Sequence, residues 1–318
     1  MLANYKERND TVSSNEYVLQ TKDLCKSYGK VNVLKKLNMN VPKGSIYGFI
    51  GKNGAGKTTL IRLACGLQYQ TSGELIISGV KNTDSKINKV REKFGAIVET
   101  PSLHLNMTAF DNVALQLDIL GLKDKNKANE LLEFVGLSDT GNKLAGNFSL
   151  GMRQRLAIAI ALCGEPELLI LDEPVNGLDP QGIIDMRELL RKMNTDKNIT
   201  ILVSSHILDE LSKVATHYGF IADGHIVKEM SAQELQSIGK KSLTLTVNNT
   251  ANFADAMSSI NNEFEVLDKT TAIVQGDISI TKLVLALNEK KIEVLHVVSK
   301  EESLEEYFFE LIGGAENA

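Results

Sequence analysis

A glycine-rich segment, GKNGAGKTT at Gly51–Thr59, constrains the fold more than any other part of the sequence. It fits the pattern GxxxxGK[ST] and stands between an apolar run at Ser45–Ile50, typical of a strand, and a helix-compatible run at Lys57–Cys65. In such a strand, loop and helix arrangement, backbone N–H groups and the helix N-terminus enclose phosphate oxygens. An ordinary glycine turn is the alternative, but the flanking elements favour a phosphate-binding loop in an α/β fold.

The side chains of this loop predict a nucleotide with a bound magnesium ion. We expect Lys57 to place its ammonium group between the β- and γ-phosphates and Thr58 to offer its hydroxyl to Mg²⁺. The predicted nucleotide-binding residues of the loop are Gly51, Asn53, Gly54, Ala55, Gly56, Lys57, Thr58 and Thr59.

A later apolar run, LLILDEP, ends in two adjacent carboxylates. At a strand end beside the phosphates, Asp172 can hold Mg²⁺ or its water ligands. Glu173, the next residue, can accept a proton from an attacking water, which predicts hydrolysis rather than binding alone. Without a phosphate loop in the chain, a buried strand with a solvated acidic end would be the alternative.

Two further side chains are candidates for the same site. His206 ends the run ITILVSSH, where it can contact the γ-phosphate or orient the attacking water; a structural histidine is the alternative. Tyr28, in CKSYG, is a candidate ring for stacking on adenine, and a core or surface tyrosine is the alternative.

Composition limits the classes of partner. The chain has 318 residues and is long enough for two domains, and its formal net charge of −5 argues against nucleic acid. No apolar run approaches the roughly 20 residues that cross a bilayer, and the polar N-terminus lacks the apolar core of a secretory signal. The three cysteines are widely separated, which favours free thiols over a disulfide or metal site. We therefore expect a cytoplasmic protein.

The order of sequence patterns predicts a large and a small domain. We expect a disordered tail at residues 1–16, an α/β domain at 17–230 with a helical insert at about 100–165, and a linker at 231–241. The remainder, 242–314, has the β-α-β-β-α-β order of a ferredoxin-like α+β domain, closed by a helix that Ser303 caps.

A second glycine-bearing loop runs into a helix in NFSLGMRQRLAIAIAL, nearly a hundred residues after the phosphate loop. Together with the phosphate loop, the Asp-Glu pair and His206, it resembles the ATP-binding subunit of ABC (ATP-binding cassette) transporters, from about Tyr17 to Met230. The resemblance implies a P-loop NTPase cassette that binds ATP and Mg²⁺. It also implies a head-to-tail dimer in which Ser149 and Gly151 contact the nucleotide held by the partner subunit, and in which Asp179, in NGLD, lies at the interface.

The same resemblance implies a separate membrane permease as partner, with the cassette pair, expected to be a homodimer, peripheral on the inner face of the cell membrane. Three positions depart from the family pattern. FSLGM replaces LSGGQ in the signature loop, Lys52 replaces a common proline, and Glu99 replaces a glutamine expected to contact the nucleotide and its metal. A glutamate only accepts hydrogen bonds and brings a charge toward Mg²⁺.

Glu99, the following TPSL and the C-terminal domain resemble the branch that includes bacitracin-resistance and lantibiotic-immunity transporters. That branch implies export or expulsion of antimicrobial peptides. The alternatives are a general efflux cassette, a soluble ABC ATPase that acts on ribosomes or DNA, and a regulatory cassette without hydrolysis. The single uninterrupted cassette and acidic balance disfavour the second alternative, and intact Lys57, Asp172 and Glu173 disfavour the third.

Overall fold

A computed structural model describes residues 16–301, apart from 123, 239, 240, 259, 261 and 277, together with 307 and 311. The chain divides into two compact units, with the boundary between Ala232 and Gln233. Of the helix that Ser303 was predicted to cap, the structure describes Tyr307 and Leu311, which are both helical, whereas Ser303 itself and residues 1–15 of the predicted tail lie outside the described residues. Among the described helices, none has both the length and the hydrophobicity needed to cross a bilayer.

The first unit mixes strands and helices along the chain. Its strands, β1 to β10, are Tyr17–Tyr28, Val31–Pro42, Ile46–Ile50, Ser72–Ile77, Val80–Lys81, Phe94–Ile97, Leu168–Asp172, Thr200–Ser205, His217–Ala222 and His225–Ser231. Its helices, α1 to α7, are Lys57–Ala64, Ile87–Arg91, Ala109–Ile119, Lys125–Phe134, Leu150–Leu162, Pro180–Lys197 and Leu208–Ser212. Short 3-10 turns lie at Ser138–Thr140 and Ala145–Asn147.

A six-stranded sheet in the order β10-β9-β3-β8-β7-β6 forms the centre of this unit. Strands β9, β3, β8, β7 and β6 are parallel, and β10 pairs antiparallel with β9 at one edge. Every residue of β3, β7 and β8 is buried, as their nearly continuous apolar sequences predict for strands covered on both faces. Parallel strands end at one edge of the sheet, so the polar residues that follow β3, β7 and β8 are brought to the same place.

An antiparallel sheet in the order β2-β1-β4-β5 packs beside the central sheet. Its buried residues, including Leu24 and Met39, share one hydrophobic core with Leu60 and Ile61 of α1 and with Ile170 of β7. Helix α1, which begins with the phosphate-loop lysine, is therefore held between the two sheets.

The predicted helical insert corresponds to a helical stretch of the chain. Between Ile97 and Leu168, the described residues form α3, α4, α5 and the two 3-10 turns. Thr108 and Asp111 form a reciprocal capping box at the start of α3, which fixes where the first helix of this stretch begins.

Among its described residues, the second unit contains strands β11 to β14 with helices α9 and α10 between them. The strands are Lys241–Val247, Phe264–Val266, Thr271–Gln275 and Val294–Glu301, and the helices α9 and α10 are Phe253–Met257 and Ile280–Glu289. The sheet is antiparallel, in the order β12-β13-β11-β14. Its elements follow the predicted β-α-β-β-α-β order, and the ferredoxin-like assignment stays a prediction. The segment predicted as a linker contains a further helix, α8, at Ala232–Ile238.

Candidate nucleotide-binding site

The phosphate loop, between β3 and α1, has a backbone that requires glycine. Gly54 and Gly56 have φ angles of 84° and 111°, which side chains with a Cβ atom rarely adopt. A Cβ atom on Gly51 would lie 2.5 Å from the carbonyl oxygen of Ile221, so no larger residue fits there. Asn53 and Gly54 are exposed at the loop, Ala55 is buried, and Thr58 and Thr59 are half-buried on the first turn of α1.

Lys57 is fixed inside the loop. Its side chain is 5% exposed, and its Nζ atom donates to the carbonyl oxygen of Gly51 at 2.6 Å and lies 3.2 Å from Oε1 of Glu173. Gly56 stands at the N-cap of α1 and supplies no capping side chain. The first N–H groups of the helix thus face the loop beside a buried cation, an arrangement that suits an anion such as a phosphate group.

Thr58 and Asp172 meet at the end of β7. The Thr58 hydroxyl donates to Oδ2 of Asp172 at 2.8 Å, and the Ser204 hydroxyl donates to Oδ1 of Asp172 at 2.6 Å. Hydroxyl and carboxylate oxygens are the donors that Mg²⁺ prefers, so this pair fits the predicted metal. Thr58 and Asp172 would hold Mg²⁺, which when bound neutralises charge on the β- and γ-phosphates.

Glu173 has an unusual backbone. Its φ angle is 48° although it is not glycine and precedes Pro174, and both facts make this conformation costly. The Glu173 N–H donates to Oγ of Ser204 at 2.9 Å, which helps to hold the turn. The turn places the carboxylate between two groups, with Oε2 at 2.9 Å from Nδ1 of His206 and Oε1 near Lys57.

This arrangement can perform general base chemistry. A fixed carboxylate within reach of a water at the phosphate can accept the proton that the water loses. The contact made by His206 requires its Nδ1 to carry the hydrogen when Glu173 is ionised, which leaves Nε2 as an acceptor in the neutral ring. His206 can therefore orient the Glu173 carboxylate, and its contact with the γ-phosphate stays a prediction.

Tyr28 lies at the end of β1 with 43% of its surface exposed. Its hydroxyl donates to Oε1 of Gln68, and the ammonium of Lys26 lies over its ring at 4.9 Å from the centroid. An exposed, partly fixed ring is compatible with the predicted stacking on adenine.

Glu99 has a different partner from the predicted metal. It follows β6 with a φ angle of 61°, and its carboxylate pairs with the guanidinium of Arg62, one helical turn after Thr58 on α1. The side chains of Glu99 and Arg62 are 56% and 35% exposed. Contact between Glu99 and Mg²⁺ stays a prediction, and it would require the carboxylate to turn away from Arg62.

The signature loop and NGLD line a separate cleft of about 380 Å³. Ser149 caps α5 by accepting from the N–H of Met152 at 3.3 Å, and Asp179 caps α6 by accepting from the N–H of Gly182 at 3.0 Å. Gly151 lines the same cleft, and no phosphate-loop residue is among the described residues that line it. Within one chain, the structure thus groups Ser149, Gly151 and Asp179 together and apart from Lys57.

Several contact residues of the site did not emerge from the sequence. Ser204 joins Asp172 to the backbone of Glu173, and an ion pair of 2.8 Å between Arg155 and Asp185 ties the signature helix α5 to α6. The two adjacent serines in ITILVSSH were a possible signal for Ser204, because hydroxyls at the end of a buried strand need partners. Nothing in the local sequence indicated the Arg155 partner.

Comparison with known proteins identifies the family. The sequence profile of ABC transporters matches residues 34–176. The chain is 42% identical over 300 residues to the bacitracin transport ATP-binding protein BcrA of Bacillus licheniformis, which covers 93% of this chain and 98% of that protein. This chain belongs to the ATP-binding proteins of ABC transporters.

Two other comparisons agree with this assignment. This ABC ATP-binding protein is 43% identical over 212 residues to the lantibiotic transport ATP-binding protein SrtF of Streptococcus pyogenes, covering 67% of this chain and 90% of SrtF. The ATP-binding cassette MJ0796, solved as a dimer in a post-hydrolysis state with ADP and Pi, has a TM-score of 0.60 and 26% identity and covers 67% of this chain and 98% of that chain. The predicted ABC cassette fold is confirmed, and the protein binds ATP with Mg²⁺ and hydrolyses ATP.

Proposed function

We propose that this ABC ATPase energises a separate membrane permease that expels antimicrobial peptides of the bacitracin or lantibiotic class. The observation that carries this proposal is the similarity to BcrA over 98% of that protein, because it includes the second unit as well as the cassette. SrtF, whose name refers to lantibiotic transport, supports the same substrate class over 67% of this chain.

A groove beside Glu99 supports docking of a permease segment. It has a volume of about 580 Å³ and lies between the end of α1, strand β6 and the helices α3 and α5. Its apolar lining includes Leu67, Ile97 and Leu120, of which Leu67 is 64% and Leu120 44% exposed. An amphipathic helix from the permease can bury Leu67 and Leu120 and, at the same place, contact the loop that holds Glu99.

The cleft around Ser149 and Asp179 supports a second subunit as partner. Its residues are grouped apart from the phosphate loop of the same chain, and two of them use their side chains to cap helices whose N-termini suit a phosphate. We propose that two copies pack head to tail so that each copy completes the nucleotide site of the other. The pair then lies at the inner face of the cell membrane through its permease.

Resistance measurements test the proposal. The chain and its co-encoded permease would be expressed in a bacterium sensitive to bacitracin and lantibiotics, and minimum inhibitory concentrations would be compared with cells that carry Lys57→Ala. We expect resistance to the peptides that depends on Lys57. Resistance to unrelated small compounds without any change for the peptides would favour the general efflux cassette, and co-sedimentation with ribosomes independent of the permease would favour the soluble alternative.

A further inference from the structure

The hairpin of β1 and β2 lies against the phosphate loop. A Cβ atom on Gly56 would stand 3.3 Å from the carbonyl oxygen of Val33, near the start of β2. Gly224 also links the two segments, because its N–H donates to the carbonyl oxygen of Ala55 at 3.2 Å and its own carbonyl oxygen accepts from the backbone N–H of Lys35 at 3.0 Å. Lys26 of β1 pairs with Leu34 of β2, so the end of β1, where Tyr28 lies, is one strand away from the phosphate loop.

Tyr28 is held by contacts of two kinds. The Lys26 ammonium lies over the ring and also donates to the carbonyl oxygen of Tyr69 at 2.8 Å, so the cation itself is fixed. The Tyr28 hydroxyl donates to Gln68, in the segment that follows α1. One contact covers a face of the ring, and the other holds the hydroxyl end in place, which limits how far the side chain can swing.

We propose that Lys26 and Gln68 are positioning residues that fix the Tyr28 ring, which is 43% exposed, as a preformed platform for the adenine base. This inference rests on the predicted role of Tyr28 in stacking on adenine. A ring that is already fixed loses less conformational freedom when the base stacks on it, so the base contributes more to binding. The Lys26 cation is also attracted electrostatically to the ring face that it covers, which helps to hold the ring in place.

The proposal predicts an effect on the base and none on the phosphates. Dissociation constants for ATP and for inorganic tripolyphosphate, which has no base, would be measured by calorimetry on the full chain. We expect Lys26→Met to weaken ATP binding about two- to fivefold, the magnitude of one exposed cation–π contact, with tripolyphosphate binding unchanged. Gln68→Ala should have a smaller effect of the same kind. Lys26→Arg keeps a cation over the ring and should bind ATP as the unmodified protein does.

Two controls separate positioning from other causes. Lys30→Met removes the same charge from the exposed turn of the same hairpin and should leave the ratio of the two dissociation constants unchanged. In a Tyr28→Ala background, Lys26→Met should cause no additional loss of ATP affinity, because the contact it serves is already absent.

Three results would overturn the inference. Equal weakening of ATP and tripolyphosphate by Lys26→Met would mean that the charge acts on the phosphates. Additive losses in the Tyr28→Ala background would mean that Lys26 acts elsewhere. Unchanged ATP affinity in Tyr28→Ala would mean that Tyr28 does not stack on the base. The ATPase assignment is tested separately by Lys57→Ala.

Discussion

The Nδ1 atom of His206 lies 2.9 Å from Oε2 of Glu173, while the other carboxylate oxygen of Glu173 lies 3.2 Å from Nζ of Lys57. The carboxylate is therefore held from both sides by groups that follow β8 and β3. A base held in this way keeps one orientation while water and phosphate approach it, which is the requirement for proton transfer in the transition state.

Glu173→Gln keeps the size of the side chain but removes the proton acceptor. We expect ATPase activity to fall at least about 100-fold with ATP binding retained, and the variant to accumulate as a dimer in Mg-ATP. Turnover assays and size-exclusion chromatography with and without Mg-ATP measure the two effects. Glu188→Gln, at an exposed position of α6, is the matched control. Normal turnover by a Glu173→Gln monomer would contradict the role of Glu173 as base.

The parts of the site that the sequence predicted are the parts encoded locally. The phosphate loop, LLILDEP and ITILVSSH are short segments. In each, the positions of glycine, apolar and polar residues predict a strand end or a strand, loop and helix arrangement without reference to the rest of the chain. The contacts that were not predicted join distant segments. The pair Arg155–Asp185 and the pair Arg62–Glu99 depend on how helices pack, which local periodicity does not specify.

The fold shows the same division. Strands β3, β7 and β8 were recognisable because each contains a short apolar run, which in β7 and β8 ends in polar residues. Strands such as Ser72–Ile77 and His217–Ala222 were not predicted, since their sequences contain glycine, serine or histidine beside the apolar residues. Their pairing is determined by neighbouring strands, as is common for β-structure.

Complementation tests whether the signature loop acts on the partner subunit. A Cβ atom on Gly151 would have its nearest neighbour, Leu178, at 3.7 Å, so Gly151→Asp adds a carboxylate without a backbone collision. Mixing Gly151→Asp chains with Lys57→Ala chains should give dimers with one intact composite site. We expect ATPase activity above that of either variant alone. Mixed dimers that form but show no recovered activity would count against a site shared between subunits.

A pair formed by buried Tyr47 of β3 and half-buried Glu229 of β10 should make stability depend on pH. The Tyr47 hydroxyl donates to Oε1 of Glu229 at 2.5 Å, and burial raises the pKa of Glu229 above its ordinary value of 4.5. The folded state thus binds this proton more tightly than the unfolded chain. The contribution of Glu229 to stability is fully present below about pH 4.5 and is lost as the pH rises through the raised pKa.

Glu229→Gln should remove that pH dependence, because the amide stays neutral and keeps the size of the side chain. We expect the free energy of unfolding of the unmodified protein to decline relative to that of Glu229→Gln as the pH rises from 4.5. Urea titrations at a series of pH values measure both curves, with Glu188→Gln as the control for loss of an exposed carboxylate. Parallel curves for the unmodified protein and Glu229→Gln would show that Glu229 does not titrate differently on folding.

Glu99 and Arg62 give opposite predictions for magnesium. If the Glu99 carboxylate is shared between Arg62 and the metal, Glu99→Gln should weaken the apparent Mg²⁺ affinity in ATPase assays, and Glu99→Ala should weaken it further because no ligand oxygen remains. Arg62→Met should strengthen it by releasing the carboxylate. The free energy of unfolding of all three variants should lie within about 1 kcal/mol of that of the unmodified protein, as expected for an exposed ion pair.

In cells that also express the permease, Glu99→Gln should lower peptide resistance, since Glu99 stands beside the proposed permease groove. Unchanged Mg²⁺ dependence and resistance in all three would reduce Glu99 to a surface carboxylate paired with Arg62.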